Sequence, residues 1–146
     1  GWMFSSPKAH NEYVELHDKR LNRKLKPLIQ LIKAWKYYNN VPIISFYLEL
    51  RITKYSETEN CIIYDIDVKN ILKKLQNNEL ASIRDPMGIS GLIPSCKSLT
   101  QKKSALSKLN TAVSRAEKAA SAKSKENIDD AFYWWDLLFD SRFPAR

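Results

Sequence analysis

Three glycines in 146 residues, Gly1, Gly88 and Gly91, leave few places where the backbone can turn tightly through positive φ without strain. A turn-rich β-barrel or sandwich needs many such places, so the composition argues against both. Lysine, leucine, alanine, isoleucine, serine and asparagine are plentiful instead. The chain is long enough for one well-buried domain and too short for two ordinary ones. An all-α helical bundle over residues 1–146 is the expectation.

Apolar spacing along the chain agrees. Pro7 followed by His10-Asn11-Glu12 leads into a short helix ending near Lys19. Leu25, Leu28, Ile32 and Trp35 recur at intervals of three and four, the stripe of a helix running to about Tyr38. Pro27 belongs in its first turn or at a kink, because its ring blocks an interior hydrogen bond. Lys26, Gln30, Lys33 and Tyr37 share the edge beside that stripe. Pro42 is expected to open the next helix, through about Tyr55, with Ile44, Tyr47, Leu48 and Ile52 as core positions. Cys61 to Ile66 is rich in β-branched residues and reads as a short strand or an irregular segment. Asp67 is a candidate N-cap for a helix from Val68 to Asn77. Residues 84–98 form the one long loop. Ser98 with Gln101 is a capping-box pattern opening a lysine-rich helix to about Lys123. Ser124 to Asn127 restarts a last helix, in which Ile128, Ala131, Phe132, Trp135, Leu138 and Phe139 dock and which Phe143-Pro144 ends.

The balance of 24 basic against 16 acidic residues gives a net charge of +8, which favours anionic partners, nucleotide or nucleic acid, as well as a plain solvated surface. No apolar run approaches the roughly 18–20 residues of a membrane span. The first residues lack a basic region followed by an apolar core, so no signal peptide is read there. Two cysteines, Cys61 and Cys96, make no disulfide framework and fit a reducing compartment. The expected location is cytoplasmic.

The best chemical pair is Lys33, late in its helix, with Ser45 at the start of the next. A lysine is a flexible point charge able to follow a phosphate. A hydroxyl beside free amides at a helix start suits the same anion. The pair reads also as an amphipathic edge lysine and a helix-start serine. Phe46 and Tyr47 offer a ring for a base, or core packing. Asp65-Ile66-Asp67 would present two carboxylates to one side of a strand, as metal ligands need, but capping and surface charge suit them better. His10 and His17 with Cys61 and Cys96 match no closed zinc spacing. Asp85-Pro86-Met87-Gly88 with Ser90-Gly91 is read as a turn. Both histidines precede every arginine, so the arginine-then-histidine motif of small all-α ribonuclease toxins is absent.

These residues carry a family resemblance. The run L-K-P-L-I-Q-L-I-K-A-W-K, then I-S-F-Y-L-E-L, resembles the C-terminal helical lobe of nucleotidyltransferases related to oligoadenylate synthetase and cyclic GMP-AMP synthase. It is most similar to the bacterial enzymes of anti-phage defence that make cyclic dinucleotide or trinucleotide signals, or linear oligonucleotides. Trp2…Ser6-Pro7…His10-Asn11, Asp85-Pro86-Met87-Gly88 and Ala131-Phe132…Trp135…Phe139…Phe143-Pro144 agree with it, so the likeness touches most of the chain. It implies one lobe of a two-lobed enzyme, closing over ATP, GTP or another NTP. Lys33 would contact the triphosphate, Ser45 would hydrogen-bond the same phosphates, and Phe46, in place of a common tyrosine, would stack near the base. The family's Gly-Ser turn and acidic residues belong to an N-terminal catalytic lobe not found in this chain, and Asp65-Ile66-Asp67 falls in the wrong order to replace them. Mg²⁺ (or Mn²⁺) would therefore be bound by that lobe, and this polypeptide alone is expected to be inert. The competing expectation is a stand-alone basic module that grips RNA through residues 97–123, or an interaction domain.

Overall fold

The computed structural model describes residues 7–140. Trp2 to Ser6 and the Phe143-Pro144 terminator lie outside them. Leu25, Leu28, Ile32 and Trp35 are all buried on one side of α2 (Leu25–Tyr38), as their spacing predicts, and Ile29 joins them. Pro27 sits in the first turn of that helix, where no intrahelical N–H is lost. Ahead of it runs α1 (Pro7–Arg20) and after it α3 (Ser45–Ser56), and these three helices pack on one another. Tyr47, Leu48 and Ile52 of α3 are fully buried. Helix α4 (Tyr64–Asn77) links this group to the long helix α5 (Leu99–Ser124), on which α6 (Ile128–Leu138) folds back. Small residues let neighbouring helices approach α5: Ala105, Ala112, Ala116, Ala119 and Ala122 are buried along it. The described chain is thus an all-α bundle with one minor hairpin.

Ser98 caps α5 as the sequence indicates, its Oγ accepting from the Gln101 amide at 3.1 Å. Asn127 does the same for Asp130 at the start of α6. Elsewhere the helix starts differ from expectation. Pro42 lies in an extended connection, and α3 opens three residues later. Val41 and Ile43 are buried there, and the Ile44 amide donates to the Ser95 carbonyl at 2.8 Å, a tertiary bond that holds the segment straight. Residues 61–63 are irregular, not a strand, and α4 begins at Tyr64. Asp67 is therefore inside the first turns of α4, not its N-cap. Its carboxylate still reaches back to the Ile63 amide (2.7 Å) and accepts from the Tyr55 hydroxyl.

The two-residue strands β1 (Ile83–Arg84) and β2 (Leu92–Ile93) pair antiparallel within the expected loop, Ile83 opposite Ile93. Asp85 organises the turn between them. Its buried carboxylate accepts from the amides of Met87 (3.0 Å), Ile89 (3.1 Å) and Ser90 (2.9 Å). Gly88 and Gly91 take φ of 74° and 72°, so the chain's interior glycines stand where L-residues are strained.

Candidate functional site

Helices α2 and α3 form an antiparallel pair about the 39–44 connection. Lys33, five residues before the end of α2, and Glu49, four residues after the start of α3, meet across this pair. Lys33 Nζ lies 3.1 Å from Glu49 Oε2. The other carboxylate oxygen of Glu49 accepts from His10 Nε2 of α1 at 2.8 Å. Each carboxylate oxygen thus has one partner. The side chains of Lys33 and Glu49 are each 24% exposed, and that of His10 is 12% exposed.

An ionised carboxylate only accepts, so His10 donates from Nε2. Its Nδ1 is buried and has no hydrogen-bond partner. The ring of Phe46 lies against the His10 ring, with centroids 4.9 Å apart and planes tilted by 59°. The His10 hydrogen bond, and after it that of Lys33, holds the Glu49 carboxyl below the usual glutamate range, although burial works the other way.

Lys33 and Gln30 stand between two depressions. One, of about 500 Å³, is lined by Gln30, Lys33, Ala34, Tyr37, Tyr38 and Ser45. The other, of about 630 Å³, opens on the α1 side and takes in His10, Glu15, Lys26 and Glu49 as well as Gln30 and Lys33. Ser45 is the first residue of α3. The residue before it, Ile44, is extended (φ −68°, ψ 126°) and offers no side-chain cap. The first turn of α3 holds no acidic residue. A helix start of this kind presents the positive end of its dipole.

Lys33 and Ser45, singled out in the sequence, therefore meet at one depression. Phe46 borders neither; its ring is directed at His10 and the core. The aromatic wall beside Ser45 is made by Tyr37, 71% exposed, and Tyr38. Tyr47 is wholly buried, its hydroxyl donating to the Ala81 carbonyl at 2.6 Å and accepting from Arg51 Nε at 3.0 Å, so it belongs to the core. Glu49 and His10 were missed as site residues. The comparable distances of Lys33 and Glu49 from the 39–44 turn were a signal for Glu49. Nothing local points from His10 to a residue 39 positions away.

The remaining candidates are engaged elsewhere. Asp65 pairs with Lys123 at 2.6 Å, while Asp67 is buried against Tyr55. On a helix two such residues point apart, and no cluster of three or more His, Cys, Asp or Glu able to hold a metal occurs among the described residues. The described side chains thus do not fit a Mg²⁺ or Mn²⁺ site. Several cations of α5 serve packing: Lys108 bonds the Asn40 carbonyl, Arg115 that of Leu137, and Lys118 stacks over Trp134 at 4.6 Å. No described helix is long and apolar enough to cross a membrane. No protein-family model matches the chain, and the comparison with curated proteins finds no match.

Proposed function

We propose that this chain is the nucleotide-binding helical lobe of a cytoplasmic nucleotidyltransferase that makes cyclic or linear oligonucleotide signals from NTPs. The observation that carries the reading is the meeting of Lys33 and Ser45 on one depression at the uncapped start of α3. Lys33 supplies charge to the phosphates, while the Ser45 hydroxyl and the α3 dipole add a second anion-directed element. The family resemblance assigns base stacking to Phe46, but that ring lies against His10 and the core, and Tyr37 is the exposed aromatic on the Ser45 side. Divalent metal and the groups that act on the triphosphate come from a catalytic lobe outside this chain, with which it pairs.

Calorimetric titration with ATP and GTP, with and without Mg²⁺, tests the reading. Binding is expected in the parent, and Lys33→Ala is expected to weaken it at least tenfold. A Lys33→Ala variant that binds as well as the parent removes the phosphate role. Comparing Phe46→Ala with Tyr37→Ala assigns the stacking ring, since base stacking on an aromatic contributes about 1–3 kcal/mol.

A further inference from the structure

Lys33, the residue expected to meet phosphate, is already paired in the structure. Glu49 Oε2 sits 3.1 Å from its ammonium and lines the depression on the α1 side, while Lys33 borders both depressions. We infer that Glu49 is a resident anion that occupies Lys33 until a polyphosphate displaces it, with His10 holding the carboxylate when Lys33 leaves. The inference rests on Lys33 being a phosphate contact.

Three observations support it. Both side chains are a quarter exposed, so the pair is neither sealed in the core nor dispersed in solvent, and an incoming anion reaches the same ammonium. Lysine carries three donors on a flexible stem, and its ion pair with Glu49 engages one of them. Glu49 has a second, independent hydrogen bond: His10 Nε2 on Oε1 at 2.8 Å. A buried ion pair that loses one member ordinarily strands the other charge, which is the costly part of breaking it. Here the carboxylate keeps a donor from another helix, fixed in place by the Phe46 ring, while Lys33 turns to a ligand. A triphosphate then lies beside the Glu49 carboxylate, and like charge at that distance opposes binding in a partly dry site. The pair sets a threshold that a polyanion passes and a neutral nucleoside never meets.

A purely structural clip between α1, α2 and α3 makes the opposite prediction, because its loss treats charged and uncharged ligands alike. The test titrates parent, Glu49→Gln, Lys33→Met and the double variant with inorganic tripolyphosphate, ATP and adenosine at one pH and low salt. Glu49→Gln is expected to bind tripolyphosphate and ATP about tenfold more tightly and adenosine no differently. The double variant is expected to gain less over Lys33→Met than Glu49→Gln gains over the parent, since only the direct repulsion is left to relieve. Tripolyphosphate binding that is unchanged or weakened in Glu49→Gln overturns the inference, as does an equal change for ATP and adenosine. If Glu49→Gln fails to fold, Glu49→Met repeats the arm with an uncharged chain of similar length. Failure of the underlying reading looks different: Lys33→Met then binds tripolyphosphate as well as the parent, or neither binds it at all.

Discussion

Replacing Asp85 by alanine should loosen the 83–93 hairpin far more than an ordinary loop substitution. The carboxylate is 2% exposed and accepts three backbone amides, from Met87, Ile89 and Ser90. Hydrogen bonds to a charged group contribute about 1.5–3 kcal/mol each. Ile89 is 45% exposed, so water readily takes over its amide. Met87 and Ser90 are half-buried and recover less. Counting two bonds at the lower end gives a loss of about 3 kcal/mol, and at about 2–4 °C per kcal/mol a fall in Tm of about 6–12 °C. Asp85→Asn keeps one carbonyl acceptor and should lose about half as much. Thermal and urea melts measure the loss, and amide exchange locates it at Met87 and Ser90. Because Ser95 just beyond β2 accepts the Ile44 amide, faster exchange should extend to the start of α3, beside Ser45. A Tm within about 2 °C of the parent, the usual range for an uncommitted surface residue, refutes the reasoning.

Tyr47→Phe should cost about 1–3 kcal/mol in urea unfolding, since it removes a donor from the Ala81 carbonyl and an acceptor from Arg51 while preserving the packed ring. Ser98→Ala should cost about 1 kcal/mol by the same assay, with faster exchange at the Gln101 amide, because no other side chain caps α5. Stability should fall in two steps on acidification. Burial first, then Arg20, holds His17 below its usual value of 6.5, so the unfolded chain takes up its proton earlier and stability is lost as pH drops below 6.5. The lowered Glu49 carboxyl contributes stability that is present above its usual value of 4.5 and is lost as pH falls below it toward the folded value. Thermal melts across the acid range should therefore show the second step reduced in Glu49→Gln, the remainder belonging to Glu15, which Lys26 and Arg23 also hold below the usual range.

How legible the molecule was depended on how far apart the deciding atoms stand along the chain. The stripe Leu25, Leu28, Ile32, Trp35, the Ser98–Gln101 cap and the Asp85 turn all rest on residues within one or two turns of each other, and each was readable. The start of α3 was not, because a carbonyl from Ser95 holds Ile44 extended where Pro42 alone would permit a helix. The start of α4 was read about one turn too late, with Asp67 taken as the cap, and Asp67 instead has a partner, Tyr55, on another helix. Of the residues expected to dock in the last helix, Ala131, Leu138 and Phe139 are buried and Trp135 packs against the core. Ile128 stays 52% exposed at the rim of an apolar groove of about 510 Å³, since helical spacing assigns a face without saying how completely it is covered.

By itself the sequence determined a glycine-poor, helix-spaced chain with a lysine late in one helix and a serine at the start of the next. Local periodicity and capping chemistry are properties of neighbouring residues, so they survive without coordinates. Tertiary structure alone decided what those two residues face. The antiparallel fold of α2 on α3 laid Glu49 against Lys33, and α1 brought His10 across 39 positions to hold that carboxylate. An ion pair between helices is set by their packing, and packing is a property of the whole core.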